Sequence, residues 1–85
     1  MRFLVSYDIR DPKRLRRVAR SLEGFGVRLQ YSVFECPLDA IRLAKLKSEL
    51  HEIVNHDEDQ VLFVSLGRRA GDVSFGFQSP RFQPA

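Results

Sequence analysis

Two stretches with the helical spacing of apolar residues alternate with short strand-like runs, and this order limits what the chain can fold into. In the first helical stretch apolar residues recur at steps of three and four, namely Leu15, Val18, Ala19 and Leu22. The second stretch repeats that spacing with Leu43, Leu46, Leu50, Ile53 and Val54. Asp11 before Pro12, and later Asp39, predict the two helix starts. Gly24 and Gly26 predict the end of the first helix.

Five runs have the composition of β-strands, and they comprise residues 3–7, 27–30, 33–37, 61–66 and 73–77. Tyr31 and Ser32 separate the second run from the third, so we expect either a tight hairpin or one long bulged strand. Residues 61–66 are almost entirely apolar and are predicted to be buried on both faces. Residues 73–77 alternate between apolar and polar or glycine positions, which predicts an edge strand.

The order strand, helix, strand, strand, helix, strand favours an α+β, ferredoxin-like βαββαβ sandwich with an extra C-terminal edge strand. In this architecture two helices cover one face of an antiparallel sheet. We expect one domain over residues 1–77 and a flexible C-terminal tail over residues 78–85, which contain two prolines and little pattern. The fold hosts many unrelated functions, so function has to be argued from particular residues.

Size and composition exclude several classes of protein. A chain of 85 residues buries only about 60% of its unfolded surface, so an oligomer that hides more apolar area would add stability. No apolar run approaches the roughly 18 residues of a membrane span, and residues 1–5 lead into charged sequence rather than a signal peptide. Cys36 alone allows neither an intrachain disulfide nor a cysteine zinc cluster. We therefore expect a cytoplasmic domain without a membrane partner.

Positive charge is concentrated in the first third of the chain. Eleven of the fourteen basic residues are arginine, whose planar guanidinium suits bidentate contact with phosphate. Residues 1–28 hold eight basic and three acidic side chains, a sum of +5, whereas residues 29–85 hold six and eight, a sum of −2. This asymmetry indicates an anionic partner such as nucleic acid, with a solvated helix face as the plainer alternative.

Asp8 is the residue best placed for chemistry. It follows the first predicted strand, and four arginines come within the next nine residues, namely Arg10, Arg14, Arg16 and Arg17. A carboxylate there suits Mg²⁺, which accepts one or two carboxylates and keeps several waters. The alternative is that Asp8 only braces the turn into the first helix. Since a single carboxylate makes a poor metal site, we expect a two-fold dimer that brings two copies of Asp8 together.

Other reactive residue types carry weaker signals. His51 and His56 lack a metal-ligand partner at useful spacing and are predicted to be surface residues, and Ser6 and Ser32 have no evident base beside them. Cys36 is predicted to fill the core. Four aromatic residues are more often core than base-stacking platforms: Phe25, Tyr31, Phe34 and Phe63.

Two segments carry a family resemblance. They are the run Phe-Leu-Val-Ser-Tyr-Asp-Ile at residues 3–9 and the run Gly-Val-Arg-Leu-Gln-Tyr-Ser-Val-Phe-Glu at residues 26–35. In order and spacing over residues 1–66 the chain resembles the CRISPR-associated protein two family, the small endoribonuclease-type subunit of CRISPR adaptation. The second run is the more specific of the two.

The resemblance implies a ferredoxin-like homodimer that acts in spacer acquisition with a CRISPR integrase subunit. Some members are similar to Mg²⁺-dependent nucleases of single-stranded RNA, others act on double-stranded DNA, and some show little cleavage. The family's metal ligand and catalytic residue matches Asp8. Residues expected to bind nucleic acid are Arg14, Arg16, Arg17 and Arg28, and those expected to support the site are Tyr7, Ser32 and Phe34.

Three functions enter as hypotheses. The first is a Mg²⁺-dependent endonuclease that hydrolyses phosphodiester bonds of RNA or DNA and in which Asp8 holds the metal. The alternative is a non-catalytic dimeric scaffold that binds duplex DNA and bridges the integrase subunits, for which the arginines matter and Asp8 does not. A small-ligand regulatory domain of the same fold has less support, because nothing in the loops suggests a ligand pocket.

Overall fold

The computed structural model describes residues 1–66 and the backbone of one further strand, and it forms a single five-stranded antiparallel sheet with two helices. The elements are β1 (Arg2–Asp8), α1 (Pro12–Glu23), β2 (Val27–Gln30), β3 (Val33–Pro37), α2 (Ala40–Ile53), β4 (Gln60–Ser65) and β5 (Val73–Phe77). The strand order is β2-β3-β1-β4-β5. The ferredoxin-like α+β prediction is confirmed, and β5 pairs with β4 as the extra edge strand.

Both helices begin where the sequence predicts. The Asp11 carboxylate accepts the backbone N–H of Arg14 at 2.9 Å, and the Asp39 carboxylate accepts the N–H of Arg42 at 2.7 Å. Each contact satisfies an amide that has no partner within the first turn of its helix. Gly24 is the C-cap of α1.

The core lies between the helices and one face of the sheet. The apolar stripe of α1 buries Val18 and Leu22, and that of α2 buries Leu46 and Leu50. They pack against sheet residues that include Phe3, Val5, Tyr7, Phe34, Cys36, Val61 and Phe63. The predictions of a core position for Cys36 and for three of the four aromatic residues are confirmed.

The prediction that residues 61–66 are buried on both faces is wrong. Val61 and Phe63 are fully buried, whereas Leu62 and Val64 are only half-buried. The reason is that burial alternates along each central strand, because the helices cover one face of the sheet. Leu62 and Val64 lie on the other face beside Ser6 and Leu4, their partners in β1. We call this surface the helix-free face.

Residues 27–37 form a hairpin rather than one long strand. β2 pairs with β3 in antiparallel register, with an irregularity between Arg28 and Gln30. Every residue of β2 is exposed, as expected of an edge strand. Tyr31, in the connection, is 74% exposed, so its predicted core position is wrong. The turn leaves Tyr31 in solvent, while Gln30 before it pairs with β3 and the carbonyl of Ser32 after it accepts the backbone N–H of Tyr7.

Two predictions concern parts of the chain that are only partly described. The flexible tail at residues 78–85 lies outside the described residues, so the domain boundary at residue 77 stays a prediction. Within residues 1–66 and the strand Val73–Phe77, no helix has the length and apolar character needed to cross a membrane.

Candidate functional site

Asp8 lies at the end of the central strand of the sheet. It is the last residue of β1 rather than the residue after it, and it pairs with Gln60, the first residue of β4. Tyr7 is buried toward the helices, and since side chains alternate along a strand, the exposed Asp8 belongs to the helix-free face. The Asp8 carboxylate is therefore exposed to solvent, and any molecule that packs on this face can contact it.

A cleft of about 350 Å³ surrounds this strand end. Its polar lining comes from Asp8, Ser6, Ser32 and Gln60, which β1, the hairpin and β4 supply. This set fits Mg²⁺, which binds proteins through one or two carboxylates together with water. The described part of the chain contains no group of three or more His, Cys, Asp or Glu side chains placed to hold an ion. Asp8 is the one carboxylate among the described residues that line this cleft.

Tyr7 ties the hairpin to the strand that carries Asp8. Its backbone N–H donates to the Ser32 carbonyl at 3.1 Å, and its phenol donates to the Tyr31 carbonyl at 3.2 Å. Burial raises the pKa of the Tyr7 phenol above its ordinary value, so the group stays a proton donor at neutral pH. These two hydrogen bonds fix the wall of the cleft next to the Asp8 carboxylate.

Arg28 fixes the same turn from the other side. Its Nη1 donates to the Tyr31 carbonyl at 2.9 Å, and its guanidinium carbon lies 5.1 Å from the centroid of the Phe34 ring. Phe34 in turn lies 6.2 Å from the Tyr7 ring, centroid to centroid. Phe34 is fully buried, so it packs beneath this turn and does not line the surface.

Arg16 and Arg28 both line a second, smaller cleft. This cleft measures about 220 Å³, and it shares Tyr7, Leu15 and Tyr31 with the cleft of Asp8. Two of the predicted arginines therefore line a cleft that adjoins the cleft of Asp8. Arg17 is exposed, but among the described residues it belongs to the lining of neither cleft.

Arg14 is held by two carboxylates and lines neither of the two clefts. Its Nε and Nη2 donate to the Asp59 carboxylate at 2.7 and 3.2 Å, and Nη2 also lies 3.1 Å from a Glu58 oxygen. The sequence predicts that Arg14 binds nucleic acid, and that stays a prediction. The contacts support a different role, because the charge of Arg14 is compensated within the chain.

Asp59 is a residue that the sequence patterns did not single out. Its side chain is 0% exposed, and it accepts the backbone N–H groups of Arg10 and Asn55 as well as the Arg14 guanidinium. Burial alone would raise the pKa of Asp59, but the hydrogen bonds from Arg14 and from the two amides hold it below its ordinary value. The sequence feature that could have indicated Asp59 is its position just before β4, because β4 pairs with β1, the strand that carries Asp8.

The fold and the site together define a class of protein: a small ferredoxin-like domain with an exposed strand-end carboxylate and two arginines in an adjoining cleft. The profile of one family, described as CRISPR associated protein Cas2, matches residues 1–71. The chain belongs to the Cas2 family, as its two signature segments predict.

Relatives and solved structures agree with this membership. The chain is 52% identical to the CRISPR-associated endoribonuclease Cas2 of Geobacter sulfurreducens over 65 residues, which is 76% of this chain and 68% of the relative. It is 36% identical to the CRISPR-associated endoribonuclease Cas2 3 of Synechocystis over 83 residues, which cover 96% of this chain and 90% of the relative. The crystal structure of Streptococcus pyogenes Cas2 at pH 6.5 superposes with a TM-score of 0.75 at 38% identity, over 79% of this chain and 87% of that one.

Proposed function

We propose that this protein is a metal-dependent endonuclease of CRISPR spacer acquisition, which hydrolyses phosphodiester bonds of single-stranded RNA or double-stranded DNA. The observation that carries the proposal is the exposed Asp8 carboxylate in a cleft that adjoins Arg16 and Arg28. The names of the curated relatives, endoribonuclease and endonuclease, support it as well. Arginines beside a carboxylate suit a phosphodiester, because they offset its charge while the carboxylate recruits a cation.

The residues divide the work by their chemistry. Asp8 would hold Mg²⁺, which when bound activates water and polarises the phosphoryl oxygens. Arg16 and Arg28 orient the phosphate and stabilise the negative charge that develops on it. Ser32 and Gln60 offer hydrogen bonds within the same cleft. Tyr7 and Phe34 hold the hairpin in place around these groups.

A homodimer would supply the second carboxylate. Asp8 shares the helix-free face with half-buried apolar side chains that include Leu4, Leu62 and Val64. Covering this face with a second copy would remove apolar surface from water and bring the two Asp8 side chains toward the same axis. The proposed enzyme is therefore a two-fold dimer whose metal site is shared between subunits.

The nuclease proposal is tested with the dimer, single-stranded RNA and duplex DNA in Mg²⁺. Asp8→Asn keeps the shape of the side chain but removes its charge, so cleavage should fall by about 100-fold or more. Glu52→Gln, an exposed change on α2, should cleave like the parent and serves as the charge-matched control. Equal cleavage by the parent and Asp8→Asn would exclude Asp8 from catalysis.

The dimer proposal is tested by sedimentation. Leu62→Glu places a charge on the helix-free face and should convert the dimer to a monomer, because a buried unpaired carboxylate is costly. Ile41→Glu alters a residue that is 78% exposed on α2, and this variant should sediment with the mass of the parent dimer. A dimer that persists in Leu62→Glu, with unfolding as cooperative as in the parent, would place the interface elsewhere.

The cationic face of α1 favours a second candidate function, the non-catalytic scaffold that lays duplex DNA between integrase subunits. Lys13, Arg16, Arg17 and Arg20 are all exposed along this helix. Each lost phosphate contact reduces the slope of log affinity against log salt by about 0.9 for duplex DNA. Arg17→Ala separates the candidates, since Arg17 lies outside both clefts: a smaller slope with unchanged cleavage supports the scaffold, and an unchanged slope removes Arg17 from the DNA surface.

A further inference from the structure

Tyr31 combines an exposed ring with a fixed backbone. The residue is 74% exposed, yet its carbonyl accepts hydrogen bonds from the Tyr7 phenol at 3.2 Å and from Arg28 Nη1 at 2.9 Å. The next residue, Ser32, is held by the Tyr7 backbone N–H at 3.1 Å. These hydrogen bonds fix the backbone of Tyr31, while its ring is exposed to solvent.

Tyr31 lies where the two clefts adjoin. Tyr31 lines both the cleft that contains Asp8 and the cleft that contains Arg16 and Arg28. A nucleotide placed here would have an acidic metal-binding side chain on one side and two guanidinium groups on the other. Phosphates would lie toward the arginines, which leaves the aromatic face for the base.

We infer that Tyr31 is a stacking platform for an unpaired nucleobase, a binding subsite that selects single-stranded nucleic acid. The inference deepens the proposed function, because it rests on nucleic acid being the ligand of these clefts. Stacking on an aromatic ring requires a base whose face is free, and in a duplex both faces are covered by neighbouring bases. Every base has such a face, so the subsite distinguishes single-stranded from double-stranded nucleic acid and does not select a base sequence.

Flanking charge favours a nucleobase over a protein as the occupant. An aromatic anchor in a protein interface is enclosed by a rim that excludes water and is depleted in charge at its centre. Tyr31 instead has Arg16 and Arg28 in one adjoining cleft and Asp8 in the other. A protein partner remains an outcome that the following experiment identifies.

The test measures binding without cleavage, by fluorescence anisotropy in EDTA with a labelled oligoadenylate and a DNA duplex of equal length. Loss of one stacked base should weaken oligoadenylate binding by Tyr31→Ala about 5- to 150-fold, while duplex affinity changes less than about twofold. Tyr31→Phe keeps the ring and should retain single-strand affinity. A strand with abasic sites has the same phosphates, and the parent should bind it about as weakly as Tyr31→Ala binds oligoadenylate.

Several results would overturn the inference. They are unchanged oligoadenylate binding by Tyr31→Ala, an equal loss for duplex, no binding of oligoadenylate by the parent, or a change from dimer to monomer that identifies Tyr31 as a protein contact. Urea unfolding of Tyr31→Ala should match the parent because the ring is exposed. Failure of the nuclease proposal has a separate signature, namely parent protein that binds the strand but does not cleave it in Mg²⁺.

Discussion

The Asp59 carboxylate accepts two hydrogen bonds from the Arg14 guanidinium, at 2.7 Å from Nε to Oδ2 and 3.2 Å from Nη2 to Oδ1. The same carboxylate accepts the backbone N–H of Arg10 at 2.9 Å and that of Asn55 at 2.8 Å. Asp59 precedes Gln60, the strand partner of Asp8. One buried side chain therefore joins α1, the segment after α2 and the chain on both sides of the candidate site.

Removal of this carboxylate should destabilise the fold strongly. Asp59→Ala leaves three groups of donors without their acceptor, which should reduce the free energy of unfolding by about 3 kcal/mol. Glu58→Ala is the control, because Glu58 contacts the same arginine from an exposed position and should cost less than about 1 kcal/mol. Urea unfolding measures both. Equal losses in the two variants would contradict a special role for the buried partner.

The stabilisation that the Asp59 carboxylate provides should depend on pH in the acidic range. Since the pKa of Asp59 is lower in the folded protein than its ordinary value of about 3.9, the charged group stabilises the fold fully above that value. The contribution is lost as the pH falls through the folded pKa. The stability difference between the parent and Asp59→Asn should be constant from pH 7 to about 5 and should shrink below about 4. Parallel curves through that acidic range would contradict the assignment.

Two glycines at the end of α1 should respond oppositely to alanine. A Cβ at Gly26 would lie 2.7 Å from Cys36 Sγ and closer still to the Glu35 carbonyl oxygen, so Gly26→Ala should destabilise the protein by about 3 kcal/mol. At Gly24 the nearest atom is 3.4 Å away and the backbone is helical. Gly24→Ala should therefore be neutral or stabilising by about 0.4–1 kcal/mol. Thermal unfolding of both variants provides the comparison.

The Cys36 thiol should be inert in the folded protein. It is fully buried, and burial raises its pKa to about 11, so little thiolate is present at pH 8. Reaction with a thiol reagent should be slow in buffer and fast in urea, and the rate should follow the fraction unfolded. Rapid labelling without denaturant would show that the strand carrying Cys36 opens locally.

Local patterns in the sequence determined the elements and their order. The helix starts at Asp11 and Asp39 and the apolar stripes were predictable, because capping and helical periodicity involve residues that are close along the chain. The two signature segments also pointed to the family and to Asp8. Periodicity could not indicate that Leu62 is only half-buried, since a run of apolar residues does not reveal whether one or both faces of the sheet are covered.

Tertiary structure alone decided how the candidate site is assembled. Asp59 meets Arg14 across 45 positions of sequence, and Tyr31 meets Tyr7 across 24, because β1 pairs with both β4 and β3. Such contacts depend on strand register, which no short stretch of sequence specifies by itself. The amino-acid sequence therefore determined which chemical groups are available, and strand pairing decided which arginine is neutralised and which tyrosine is left in solvent.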